Sequence, residues 1–79
     1  MAVYKITVHA RLDKTERTFV HAALKNLGGF PSFQQNSFSS ETTNFVLEMY
    51  GSSSQVSPLT IRDAVKGAMR QEGVQVEVT

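Results

Sequence analysis

Two hydrophobic periods alternate along this chain, and the order in which they alternate occurs twice. A period-2 run at Val3–Leu12 gives way to a 3.6-period run at Lys14–Leu27. Two strand-like segments follow, around Phe33–Ser40 and Asn44–Gly51. A second helical run covers Pro58–Glu72, and Val74–Thr79 alternates again. Period 2 marks a strand with one buried face, because successive side chains point to opposite sides of a sheet. Period 3.6 marks a helix with one apolar stripe. The predicted order is strand, helix, strand, strand, helix, strand.

The 79 residues carry no linker and no short repeat, which predicts one domain over residues 1–79. A chain this short buries only about 60–65% of the surface it exposes when unfolded. It has no cysteine, so apolar packing, alone or with a partner subunit, must supply the stability.

The first strand sends Tyr4, Ile6, Val8, Ala10 and Leu12 to one face and Lys5, Thr7, His9 and Arg11 to the other. Asp13 and Glu16 have the spacing of a capping box and start the first helix. Phe19, Val20, Ala23, Leu24 and Leu27 form its apolar stripe. Gly28 stops it, since glycine takes the left-handed C′ conformation cheaply, and Phe30 is expected to fold back onto the last turn. The second strand, over Ser32–Ser40, is polar. Its apolar residues Phe33 and Phe38 are five apart and fall on opposite faces, which predicts a bulge or a sheet-edge position. Glu41-Thr42-Thr43 is the expected hairpin connection. The third strand alternates Phe45, Leu47 and Met49 against Val46, Glu48 and Tyr50. Ser57 as N-cap and Pro58 at the first helical position open the second helix. Its buried stripe is Ile61, Ala64, Val65, Ala68 and Met69, and Gly67 reads as a tolerated surface glycine or as a point of close approach to a neighbour. The last strand buries Val74, Val76 and Val78 and exposes Gln75 and Glu77.

This is the split β-α-β layout, an α+β, ferredoxin-like βαββαβ fold with a four-stranded antiparallel sheet. Right-handed crossovers put both helices on one face, with strand order four, one, three, two. The expected core is Ile6, Val8, Phe19, Leu24, Phe45, Leu47, Ile61, Val65 and Val76. The other face is left open, carrying Lys5, Thr7, His9 and Arg11 beside Val46, Glu48 and Tyr50.

Much chemistry lacks its parts here. Eight basic residues against seven acidic ones give no large excess for wrapping phosphates. His9 and His21 fall on different outer surfaces and cannot meet at one metal ion, so no metal or other cofactor is expected. No serine sits in a nucleophile-elbow context, and Gly28-Gly29 follows a helix rather than opening one, so it does not cradle phosphate. Tyr50 and His9, with Lys5 and Arg11, can supply base stacking and charge. The segment Asn44–Tyr50, however, lacks the Gly-aromatic pattern of RNA-recognition domains, and Glu48 repels phosphate at its centre. Arg62, Lys66 and Arg70 form a basic row along the second helix: a solvated face, or a docking strip for an acidic protein or for nucleic acid. The second strand's edge, together with Phe38, Val46 and Tyr50, offers backbone groups and apolar area to a second copy or to a target strand. The alternating N-terminal run is neither a signal peptide nor a membrane span, and the expected setting is the cytoplasm.

Met1–Val8, the helix end Leu27-Gly28-Gly29-Phe30, and Thr43–Glu48 leading through Ser53–Val56 into the second helix together resemble the GhoS-type antitoxin family. That resemblance implies a ferredoxin-like fold akin to that of the small CRISPR-adaptation nucleases, and cleavage of a toxin messenger RNA. The nuclease relatives carry an acid at the end of the first strand, where this chain has Arg11 and Leu12, and neighbouring Asp13 reads as a cap. The resemblance therefore carries the fold further than the ribonuclease activity. In size and style the chain also resembles the small accessory proteins of phages and mobile elements, anti-CRISPR proteins among them, which inhibit a host machine by binding it. The expectation is a non-catalytic binding or inhibitory protein that contacts a protein partner through Lys5, His9, Arg11, Val46, Tyr50, Arg62, Lys66 and Arg70. A homodimer through the sheet edge or open face is one form of that contact, and an RNA-binding or RNA-cleaving antitoxin is the alternative.

Overall fold

The computed structural model describes residues 2–33, 41–69, 71 and 73–79. The elements run β1 (Ala2–Val8), α1 (Lys14–Asn26), β2 (Gly29–Ser32), β3 (Thr43–Met49), a 3-10 turn (Gly51–Gln55), α2 (Pro58–Ala68) and β4 (Val76–Val78). The sheet order is β2-β3-β1-β4, and every neighbouring pair is antiparallel. This is the ferredoxin-like arrangement that the two periods predict.

The helices start where their caps dictate. The Asp13 carboxylate accepts from the Glu16 N–H at 2.7 Å, and the Glu16 carboxylate accepts from the Asp13 N–H at 3.3 Å, which completes the capping box. The Ser57 hydroxyl accepts from the Thr60 N–H at 3.2 Å, with Pro58 in the first turn of α2. α1 ends at Asn26 with Leu27 as its cap, and the chain turns away at Gly28, whose φ of 86° is open to glycine and costly for other residues. α2 ends at Ala68, because Met69 is already extended; the predicted run past this point overshoots the helix.

The core lies between sheet and helices. Ile6, Val8, Leu12, Val20, Leu24, Phe45, Leu47, Met49, Ile61, Val65 and Val76 are all buried. Phe19 was expected among them and is half-exposed. α1 buries its 16–20–24 row instead, so Glu16 goes inward and Phe19 rides on the flank. The buried Glu16 carboxylate is satisfied by the Asp13 N–H and by the Gln71 amide, which donates to it at 3.3 Å.

β1 is shorter than its alternation suggests. The chain bends at His9 and Ala10, so Arg11 lies beyond the strand rather than on the sheet. Leu12 is nevertheless buried, because Thr43 holds this bend. The fully buried Thr43 hydroxyl donates to the Ala10 carbonyl at 2.8 Å and accepts from the Leu12 N–H at 3.1 Å. Thr43, expected in the hairpin connection, is thus the first residue of β3. β4 is likewise trimmed to Val76–Val78, with Val74 and Val78 only half-buried.

The largest departure is β2. It occupies Gly29–Ser32, earlier than the predicted Phe33–Ser40; residues 34–40, Phe38 included, lie outside the described residues. Gly29 makes the earlier placement possible. A Cβ there would sit 2.6 Å from both Leu47 Cδ1 and Met49 Sδ, so only glycine lets β2 close onto β3 beneath the end of α1. Among the described residues, no helix is long and apolar enough to cross a membrane.

Candidate binding face

The face of the sheet away from the helices is ordered by strand register. Phe30 on β2 and Val3 on β1 are both register partners of Glu48 on β3, so these three form one row across the sheet. Ser32, Val46 and Lys5 form the next row. Thr79 extends it, since Lys5 and Thr79 exchange two backbone hydrogen bonds of 2.9 Å. Asn44, Thr7 and Glu77 form the third. Beyond it, the His9 N–H donates to the Gln75 carbonyl at 2.9 Å.

The two ends of this face differ in chemistry. At one end stand Phe30, Val3, Tyr50 and Val46, with 52%, 51%, 46% and 37% of their surface exposed, which leaves an apolar patch facing solvent. The Phe30 and Tyr50 rings meet edge to face, with centroids 5.7 Å apart, and Lys25 Nζ lies 5.8 Å from the Phe30 centroid. Both contacts hold Phe30 upright on the sheet. The Tyr50 hydroxyl donates to the Glu48 carboxylate. That hydrogen bond, with a little desolvation and the repulsion between a phenolate and Glu48, pushes the Tyr50 pKa above the ordinary tyrosine value. At the other end polar groups satisfy one another. Thr7 Oγ1 donates to Asn44 Oδ1 at 2.8 Å, and His9 Nε2 lies 3.0 Å from Glu77 Oε2. Between the ends, a shallow hollow of about 270 Å³ opens among Lys5, Thr7, Ser32, Asn44 and Val46.

Of the residues singled out from the sequence, Lys5 and Val46 are register partners, and Tyr50 follows two residues beyond Glu48. His9 is on the same face, turned toward Glu77. Arg11 is exposed but off the sheet. Arg62 and Lys66 are exposed on α2, a separate surface, with Arg62 3.5 Å from Asp63. Arg70 lies outside the described residues. Sequence reasoning missed Val3 and Phe30. Val3 shares the parity of Lys5 and Thr7, so the alternation contained it. Phe30 keeps the expected contact with the last turn of α1 through Lys25, but nothing in the sequence besides Gly29 indicates that it does so from a strand.

Among the described residues, no three His, Asp or Glu side chains are grouped so as to hold a metal ion. No protein-family model, curated protein or solved structure matches the chain.

Proposed function

We propose that this is a small non-catalytic binding or inhibitory protein, of the type phages and mobile elements use against host machinery, acting by protein–protein contact through the open sheet face. The observation that carries the reading is the contiguous patch of Val3, Phe30, Val46 and Tyr50. An exposed cluster of large apolar side chains rimmed by polar groups is the usual anatomy of a protein-binding surface. Phe30 and Tyr50 also suit such a site energetically, since aromatic anchors carry much of the free energy of interfaces. Lys5, Ser32 and the polar row of Thr7, Asn44 and Glu77 supply the rim.

A second reading has its own observation. Two exposed aromatic rings flanked by Lys5 and Lys25 have the parts needed to stack and hold single-stranded RNA, the chemistry of the antitoxin alternative. Glu48 between them opposes it, because a carboxylate at the centre of the patch repels phosphate.

One experiment separates the two. The wild-type protein and the Val3→Asp/Val46→Asp variant are each used to capture partners from a lysate of the source organism, followed by mass spectrometry. The same pair is tested for RNA binding and for metal-independent RNA cleavage. The protein-binding reading expects a stoichiometric protein that the wild type retains and the variant loses, with no RNA retained. RNA bound or cut by the wild type, and lost in a Phe30→Ser/Tyr50→Ser variant, would establish the second reading instead.

A further inference from the structure

We propose a second binding site, in the groove between α2 and the free edge of β4, which takes an extended peptide segment as a fifth strand. The groove holds about 450 Å³ and is lined by Pro58, Leu59, Arg62, Val76, Val78 and Thr79, with Glu77 at its outer lip. It is a surface separate from the apolar patch and does not rest on the reading given to that patch.

The backbone supplies the first argument. In an antiparallel pair, residues alternate between exchanging hydrogen bonds with the neighbour and pointing their N–H and C=O groups away from it. Lys5 and Thr79 exchange both bonds, and His9 donates to Gln75, so Gln75, Glu77 and Thr79 spend their backbone groups on β1. The N–H and C=O groups of Val76 and Val78 therefore point outward. β4 ends the sheet among the described strands, so this edge is a template for one more strand. The opposite edge is a poorer template. β2 contains Pro31, and proline is tolerated in an edge strand where its missing N–H faces solvent, which leaves that edge one donor short.

The side chains supply the second argument and define the occupant. On the helix side an incoming strand meets Leu59, which is 56% exposed, and the exposed guanidinium of Arg62. Among the described residues, Arg62 has a long, half-exposed contact with Asp63 to give up. On the open side the incoming strand meets Glu77. The complementary segment alternates accordingly: apolar and acidic residues face α2, and basic residues face Glu77. A second copy of this chain fits badly. Two β4 strands paired about a two-fold axis at their centre would set Glu77 against Glu77, and like charges directly opposite one another destabilise a strand pair.

The test uses two fluorescein-labelled synthetic peptides, Lys-Val-Lys-Leu-Lys-Asp-Thr and the same peptide with Leu and Asp exchanged, so that either strand direction is sampled. They are titrated into the intact protein while its amide resonances and hydrogen exchange are followed. The expected result is that the Val76 and Val78 amides shift and gain protection with one of the peptides, while the Glu77 amide, already bonded to β1, changes little. Arg62→Glu should weaken that peptide about tenfold, and replacing its Asp by Lys should restore the lost affinity. Lys66→Glu, one turn along α2 and outside the groove, should leave binding within about twofold, as an exposed rim charge does. Val78→Pro removes an outward donor without touching the β1 ladder and should abolish binding. The proposal is overturned if neither peptide shifts Val76 and Val78 at about 1 mM, a very weak affinity. Shifts centred on Val3, Val46 and Tyr50 would overturn it as well. So would protection of Val76 and Val78 that rises with protein concentration alone, since a second copy would then occupy the edge.

Discussion

β3 presents one backbone to two environments. Thr43, Phe45, Leu47 and Met49 face the helices and are buried, while Asn44, Val46, Glu48 and Tyr50 face away, with Glu48 alone half-buried among them. Val46 and Leu47 are adjacent in sequence and similar in chemistry, yet Leu47 has no exposed surface and Val46 has more than a third of its own exposed. The comparison separates two uses of apolar side chains. On the helix side they hold the domain together. On the open side they contribute little to folding and are free to contact something else. A chain of this size has few apolar residues to spare, so four large ones left together on the uncovered face stand apart from singly scattered surface residues and motivate the proposed binding role.

Truncating each neighbour in turn tests this division of roles. Leu47→Ala should cost about 2–5 kcal/mol, a large share of a small domain's stability, because the packed site cannot fully collapse around the cavity. Val46→Ala should cost about 1 kcal/mol or less, the loss of a β-branched side chain from a partly covered strand position. Urea unfolding of both variants measures this, and comparable losses would mean that the open face is covered in the native protein.

The glycines provide a second contrast. Gly29→Ala drives a methyl into Leu47 and Met49 and toward the Leu24 carbonyl, 3.2 Å away, and overpacking of this kind costs about 1–3 kcal/mol. Gly67→Ala meets no atom within 4 Å, and in the last turn of α2 it should stabilise by about 0.4–1 kcal/mol, chiefly by restricting the unfolded chain. Thermal melts should therefore move in opposite directions for the same added methyl group. Two shifts of the same sign would show that β2 does not close onto β3 as described.

The smallest effect concerns Tyr50 and Glu48. The hydrogen bond favours the neutral phenol, so the folded pKa lies above the unfolded one. Its contribution to stability is present below the unfolded tyrosine pKa and fades as pH rises through the folded one. Following the Tyr50 ring carbon by NMR across alkaline pH should show a midpoint above the ordinary tyrosine value. Glu48→Gln should lower that midpoint, since it removes the carboxylate that resists the phenolate. An unchanged midpoint in Glu48→Gln would mean that the pair is not formed in solution.

These contrasts bear on what could be read in advance. The phase of β3, the capping boundaries at Asp13 and Ser57 and the stop at Gly28 follow from local rules, and each is where those rules place it. Phe19 was misplaced because helical spacing admits two neighbouring stripes, and the polar Glu16 concealed which one turns inward. A buried carboxylate is improbable from sequence alone; here a cap and Gln71 satisfy it, and Gln71 is 55 residues away. Arg11 was placed on the sheet because the alternation continues past Val8. The bend that ends β1 is made by Thr43, which is 33 residues from Ala10.

Periodicity and caps determined the order of elements, the single antiparallel sheet and the side of β3 that is buried, because these depend on each residue's neighbours within a few positions. Tertiary structure alone decided where β2 lies, which side chains share a row on the open face, and that Leu59 and Arg62 border the free edge of β4. Those are relations between residues far apart in the chain, set by strand register and by the close approach that Gly29 permits. Single-chain periodicity cannot encode them, because it records which face a residue is on and not which residue stands beside it.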